Sequence, residues 1–90
     1  MPQAVEDLHS IHDFISKDSP YYARLTVERI FQSVDILEEF PLAGRNVPER
    51  RSSADLRELV RPPYRIVYRL AGDAIFILTV FRSSQLIPML

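Results

Sequence analysis

The residues best suited to chemistry in this 90-residue sequence are arginines, and they are concentrated in its second half. Residues 45–90 carry eight arginines and no lysine against four acidic residues, a net charge of +4. Residues 1–44 carry eight acidic residues against three basic ones, a net charge of −5. The planar guanidinium group binds phosphate and carboxylate groups through two parallel hydrogen bonds. The second half therefore predicts a basic binding face, although arginines that only solvate a surface would give the same composition.

The spacing of these arginines indicates how they are displayed. Residues 64–70 alternate between an apolar and aromatic set and a set containing Arg65 and Arg69, as expected for a strand with two different faces. We expect chemistry on the arginine face of this strand. The candidates for binding a partner or target are Arg57, Arg61, Tyr64, Arg65, Arg69 and Arg82.

Several other kinds of site have little support. The chain has no cysteine, so a disulfide, a thiolate metal site and a cysteine nucleophile are excluded. His9 and His12 are three residues apart on a predicted helix, but two ligands do not close a metal site. No metal and no cofactor are expected. The sequence shows neither a membrane-spanning apolar run nor a leader, so we expect a cytoplasmic protein that does not contact membranes.

The elements that position the arginines begin with two helices. Apolar residues recur with a helical period over about residues 2–17 and again over about 20–40. The segment Asp18-Ser19-Pro20 breaks the pattern, with Ser19 suited to cap the second helix and Pro20 to occupy its first position. Phe40-Pro41 ends that helix. Two amphipathic helices with so short a connection predict an antiparallel helical hairpin.

Strands follow the helices. Residues 41–54 read as a loop, Leu56 to Arg61 as a short strand, and Tyr64 to Leu70 with Ala74 to Phe81 as a β-hairpin turning at Ala71-Gly72-Asp73. Residues 83–90 read as a tail, because Pro88 disfavours continuing the ladder. The length suits one domain over residues 1–90. The predicted fold class is α+β: a helical hairpin at about 2–40, packed on one face of a small antiparallel sheet at about 55–82.

Short segments along almost the whole chain resemble the RelE/ParE superfamily of toxins from type II toxin–antitoxin systems, and its ParE branch most. The most specific is Pro63-Tyr64-Arg65-Ile66-Val67-Tyr68-Arg69 after Arg57-Glu58-Leu59. The others are Pro2-Gln3-Ala4, Asp7-Leu8, Asp18-Ser19-Pro20, Pro41-Leu42-Ala43-Gly44-Arg45, Val47-Pro48-Glu49, Ile75, Ile77, Val80 and Gln85.

Two departures from the family pattern accompany the resemblance. Family members usually begin with a β-strand before the matching Pro2-Gln3-Ala4, and only Met1 precedes it here, so the expected sheet has the family's first strand missing. Either the start is truncated or the sheet has a gap or an exposed edge, which would favour association. In addition, Phe81-Arg82 stands where ParE-like sequences often carry a histidine.

The resemblance implies two mechanisms. RelE-like members cut messenger RNA on the ribosome, and such a ribonuclease would use Arg65 and Arg82 on the phosphate and Glu58 as base. However, Leu56 and Glu58 occupy the positions of two family lysines, and a carboxylate held beside arginines is a weak base. ParE-like members bind DNA gyrase and need no catalytic residues. We therefore expect a ParE-like inhibitor that lacks catalytic residues, with a RelE-like endoribonuclease or an inactive relative as alternatives.

The resemblance also implies partners. A cognate antitoxin should neutralise the toxin by supplying acidic and apolar side chains to the basic half. DNA gyrase is the expected target, and the ribosome with its messenger RNA is the alternative. A homodimer or a larger toxin–antitoxin complex remains open.

Overall fold

A computed structural model describes residues 2–48 and 55–83 of the chain. Two helices precede a four-stranded sheet: α1 is Pro2–Ser16, α2 is Pro20–Glu39, β1 is Arg45–Asn46, β2 is Leu56–Arg61, β3 is Tyr64–Ala71 and β4 is Ala74–Arg82. The strands are antiparallel and lie in the order β1-β2-β3-β4. The α+β prediction is confirmed. The predicted tail beyond Ser83 lies outside the described residues.

The boundaries of α2 follow from its terminal residues. The Ser19 hydroxyl accepts a hydrogen bond of 3.2 Å from the backbone N–H of Tyr22, and Pro20 begins the helix. At the other end the helix stops at Glu39, with Phe40 as its C-cap before Pro41. A serine cap satisfies one of the N–H groups that a first turn leaves unpaired. The predicted break between the helices is therefore confirmed at Ser19.

The main core lies between the helices and one face of the sheet. Ile30 and Leu37 of α2 meet Tyr64, Ile66 and Tyr68 of β3 in this cluster. Leu59 and Val80 complete its buried part, and Leu8, Ile11 and Val34 pack at its border. Both tyrosines are almost fully buried. The predicted packing of the helical hairpin on one face of the sheet is confirmed at these positions.

The segment between α2 and β2 is not entirely irregular. Arg45 and Asn46 form β1, which pairs with Glu58 and Arg57 of β2. Just beyond, Val47 is fully buried against Val67 and Phe81 in a second apolar cluster, on the sheet face opposite the helices. The prediction that residues 41–54 form a loop is thus wrong at β1. Residues 49–54 of that loop lie outside the described residues.

The β3–β4 hairpin contains one irregularity. Val67 pairs with Thr79, whereas the next residue of β3, Tyr68, pairs with Ile77. Leu78 is therefore an extra residue in β4, which is the arrangement of a β-bulge. Leu78 packs at the border of the second apolar cluster.

The carboxylate of Asp7 joins α1 to the edge strand β4. Its Oδ2 atom accepts a hydrogen bond of 2.6 Å from the Thr79 hydroxyl and one of 2.9 Å from the Val80 backbone N–H. Thr79 is almost fully buried. An edge strand leaves its outward N–H groups without a ladder partner. Asp7 supplies an acceptor for the outward Val80 N–H, and the same contact fixes the position of α1.

Asp7→Ala is expected to lower the free energy of unfolding by about 2 kcal/mol, because two donors would lose an ionised acceptor. Urea denaturation of the two proteins measures the difference. Asp13→Ala is the matched control, since Asp13 is an exposed carboxylate on the same helix, and it should change stability by less than about 0.5 kcal/mol. Equal effects of the two substitutions would contradict the role given to Asp7.

Among the described residues, no helix combines the length and the hydropathy that crossing a membrane would need.

Candidate functional site: the arginines of the sheet

The candidate arginines do not share one face of the sheet. Residues that pair directly across antiparallel strands point to the same side. Arg57 pairs with Tyr68, and Arg61 pairs with Tyr64, so both lie on the helix side. The outer face instead carries Arg65 and Arg69. The candidates are therefore divided between two faces, because the pairing of β2 and β4 with β3 places Arg57, Arg61 and Arg82 on the side of Tyr64.

A buried carboxylate organises the outer face. Glu58 is 1% exposed and lies between two arginines. Its Oε2 atom accepts a 2.5 Å hydrogen bond from Nε of Arg65, and its Oε1 atom accepts bonds of 3.1 Å from Nη2 of Arg65 and from Nε of Arg45. Arg65 is itself 7% exposed, whereas the Arg45 side chain is 61% exposed. One acid thus holds one buried arginine and one arginine at the surface.

Aromatic rings complete the outer face. The Arg65 guanidinium lies 4.9 Å from the ring centroid of Phe81, and the Arg69 guanidinium lies 5.1 Å from that of Phe76. Such contacts attract a cation to the ring face and orient the guanidinium plane. Arg69 is half-buried. The outer face is therefore a basic surface over an apolar base, with its charge concentrated at Arg45 and Arg69.

A second network ties the loop after α2 to the sheet. The Tyr68 hydroxyl donates a 2.8 Å hydrogen bond to the Pro41 carbonyl and accepts one of 2.9 Å from the Gly44 N–H. Nη1 of Arg57 donates a 2.8 Å bond to the Gly44 carbonyl. The Nε atom of Arg57 is buried and lacks a hydrogen-bond partner among the described residues. Arg57 therefore positions the loop that delivers Arg45 to Glu58.

The remaining candidates lie around the turn between β2 and β3. Nε of Arg61 donates a 3.1 Å hydrogen bond to the hydroxyl of the buried Ser33 on α2, and that hydroxyl donates a 3.0 Å bond to the Arg29 carbonyl. Tyr64 lies in the core at the base of the turn, and the exposed Arg82 pairs opposite it. Arg61 and Tyr64 border a groove between α2 and the cis Pro62–Pro63 turn.

The histidines on α1 are exposed. Nδ1 of His12 lies 3.3 Å from the Ser16 hydroxyl and 3.8 Å from a carboxylate oxygen of Asp13. Within residues 2–48 and 55–83, no group of three or more histidine, aspartate and glutamate side chains is placed to hold a metal ion.

Comparison with known proteins places these features in a family. The sequence model of the family described as "ParE toxin of type II toxin-antitoxin system, parDE" matches residues 1–87. The chain belongs to the ParE toxin family. It is a toxin of the type II toxin–antitoxin class.

Two relatives agree with this ParE assignment. The protein named "Putative toxin Y4kP" from Sinorhizobium fredii (strain NBRC 101917 / NGR234) is 40% identical over 86 residues, which cover 96% of this chain and 86% of that protein. A chain of a chromosomal ParDE TA system from P. aeruginosa superposes with a TM-score of 0.72 at 26% identity, covering 91% of this chain and 89% of that one. The similarity extends over almost the entire described fold.

In this ParE-family chain, the residues considered for RNA cleavage lie apart. Arg65 pairs with Phe81 across β3 and β4, whereas Arg82 pairs with Tyr64. The two arginines therefore point to opposite faces of the sheet. Glu58 shares the face of Arg65, where both of its carboxylate oxygens accept hydrogen bonds from arginines.

The main feature that sequence reasoning missed is the groove beside α2. Arg29 and Ile36 line it from the helix, and Arg61 lines it from the sheet. The signal was present, because Tyr22, Arg29 and Ile36 recur every seven residues on a helix whose core positions are filled by other side chains.

Proposed function

We propose that this ParE-family toxin inhibits DNA gyrase by binding to it, and that a cognate antitoxin neutralises it in the cytoplasm. Inhibition by binding requires a complementary surface and no catalytic residues. The outer face of the sheet supplies the charge for such a surface, with Arg45 and Arg69 around the apolar cluster of Val47, Val67 and Phe81.

The opposite placement of Arg65 and Arg82 is the observation that carries this proposal. A ribonuclease built on Arg65 and Arg82 needs both cations on one phosphate, with a base beside them. Bringing Arg82 to the face of Arg65 would require a one-residue shift of β4, which would move every side chain of that strand to the other face. Surface binding needs no such rearrangement.

The burial of Arg65 also argues against a role in RNA cleavage. A guanidinium that is 7% exposed and hydrogen-bonded to a buried carboxylate has little capacity left for a substrate phosphate. Its role is to hold Glu58 and the ring of Phe81 in place. Among the described arginines of the outer face, those available to a target are the ones nearer the surface, Arg45 and Arg69.

A supercoiling assay with purified gyrase tests the proposal directly. The chain should inhibit supercoiling and increase the amount of DNA that is recovered cleaved after denaturing the enzyme. In a parallel assay, messenger RNA on translating ribosomes should remain intact. Cleaved messenger RNA with unaffected supercoiling would replace the proposal with the ribonuclease, and neither effect would identify an inactive relative.

Arg69→Glu should weaken gyrase inhibition by about tenfold or more, because it replaces a positive charge of the proposed binding face with a negative one. Arg24→Glu is the matched control: Arg24 is an exposed arginine on α2, away from that face, and its reversal should change inhibition less than about threefold. Circular dichroism checks that both variants are folded. Full inhibition by Arg69→Glu would exclude the outer face as the gyrase-binding surface.

A further inference from the structure

The helical hairpin carries a second groove, between α1 and α2, which the proposed function does not use. This groove has a volume of about 390 Å³, and its described lining is Val5, Leu8, His9, His12, Val27 and Phe31. Val5 is 52% exposed and Phe31 is 55% exposed, so two large apolar side chains meet solvent at this surface. Exposed apolar side chains that lie together mark interaction surfaces more often than scattered ones do.

Two opposite charges flank Phe31 along α2. Arg24 and Asp35 are separated by about three helical turns, and Phe31 lies about two turns after Arg24, so the three side chains form one row along the helix. Arg24 and Asp35 are both exposed. Among the described residues, neither side chain has a hydrogen-bond or ion-pair partner. The row therefore has a basic end, an aromatic centre and an acidic end.

This row is complementary to itself when two copies of α2 run antiparallel. A two-fold axis beside residues 29 and 30 brings Arg24 of one copy to Asp35 of the other, twice by symmetry. The same axis brings Phe31 of each copy to Val27 of the other, to within about one residue of rise. Val27 is a wall of the groove. The pairing of the charges and the insertion of the aromatic ring therefore require the same register.

The charges around the groove favour a second copy of this chain over other occupants. Nucleic acid and anionic lipid would be repelled by the exposed carboxylates of Glu28 and Asp35. A second copy supplies an acid, an aromatic ring and a base at the spacing that the row requires. Glu28 follows Arg24 by about one helical turn, so each Glu28 lies beside an arginine of its own helix at the rim of the contact.

We infer that two copies of this chain associate through the exposed face of the helical hairpin. In this dimer α2 packs antiparallel on α2 of the second copy, and Phe31 of each copy inserts beside the groove of the other. Arg24 and Asp35 form two equivalent ion pairs between the copies. The inference goes beyond the proposed function, since the described lining of the groove comes from the helices. The dimer leaves Arg45 and Arg69 on the outer face of the sheet open to a target.

Sedimentation equilibrium of the purified chain tests the inference. The wild type should dimerise with a dissociation constant of about 10 μM or tighter. Phe31→Asp should weaken the dimer about 100-fold, because it would place a carboxylate in each apolar contact. Arg24→Glu and Asp35→Arg should each weaken it about tenfold or more, because each creates two like-charge pairs. Arg29→Glu reverses an exposed arginine on another side of the same helix and should stay within about threefold of the wild type.

The double variant Arg24→Glu with Asp35→Arg tests the register itself. It restores opposite charges across the axis, so its dissociation constant should return to within about threefold of the wild type. Circular dichroism confirms that each variant is folded. The inference is overturned if the wild type stays monomeric well above the expected constant, if Phe31→Asp dimerises as tightly as the wild type, or if the double variant dimerises no better than the single ones. A monomeric chain whose Phe31→Asp variant loses binding to a different protein would assign the groove to that protein and also overturn it.

Discussion

Glu58→Gln is expected to lower the free energy of unfolding by about 3–5 kcal/mol. The substitution keeps the volume of the side chain and removes the carboxylate charge against which the Arg65 guanidinium is buried. Neutralising one partner of a buried, hydrogen-bonded ion pair is among the most destabilising changes a small domain can undergo. Urea denaturation should show the loss directly, and the melting temperature should fall by roughly 12 °C or more.

Arg45→Ala provides the matched control, because Arg45 contacts the same carboxylate from the surface. Its side chain is 61% exposed, and the Glu58 side chain that it contacts is fully buried. Removing an exposed partner should cost about 1 kcal/mol or less, since solvent screens that contact. If Glu58→Gln and Arg45→Ala destabilise the fold equally, burial is not what makes the Glu58–Arg65 pair important.

Gly44→Ala is expected to cost about 3 kcal/mol, the upper part of the range for overpacking a well-filled site. A Cβ atom at Gly44 would lie 2.6 Å from the Glu58 carbonyl oxygen, 2.6 Å from the Tyr68 hydroxyl and 2.7 Å from Cε1 of that ring. Neither neighbour yields easily, because one is backbone in the sheet and the other is a fully buried ring. Moving Gly44 away would break its hydrogen bond to Tyr68.

Gly72→Ala separates crowding from backbone conformation. Gly72 lies in the β3–β4 turn with φ of 60°, and a Cβ atom there would meet no atom within 4 Å. Its substitution should cost about 1 kcal/mol, from the left-handed backbone alone. Chemical denaturation of both variants measures the difference. A smaller loss for Gly44→Ala than for Gly72→Ala would contradict the close packing of the loop against Tyr68.

Local patterns predicted much of the fold. The helical period of the first 40 residues, the cap at Ser19 and the alternation around Tyr64 and Ile66 each act within one element, so sequence alone reveals them. β1 escaped prediction because it contains two residues, Arg45 and Asn46, and exists only through its pairing with β2. No local preference of two polar residues indicates a strand.

The candidate site was less predictable because it depends on relations between strands. Alternation within β3 separates Arg65 from Tyr64, but the side on which Arg82 lies depends on the register between β3 and β4. The burial of Arg65 depends on Glu58, seven residues earlier and on a neighbouring strand. The groove likewise requires the β2–β3 turn to approach α2, which brings Arg61 to Ser33 across 28 positions of sequence.

The bulge at Leu78 makes β4 tolerate the loss of one residue at this point of the strand. Deleting Leu78 would leave Val67 opposite Thr79 and Tyr68 opposite Ile77, now as successive pairs of a continuous ladder. Deleting Ile77 instead would have the same effect, with Leu78 in the paired position opposite Tyr68. A lineage of this chain is therefore expected to lose a residue at the bulge, Ile77 or Leu78, more readily than elsewhere in β4, because a deletion there preserves the alternation on both sides.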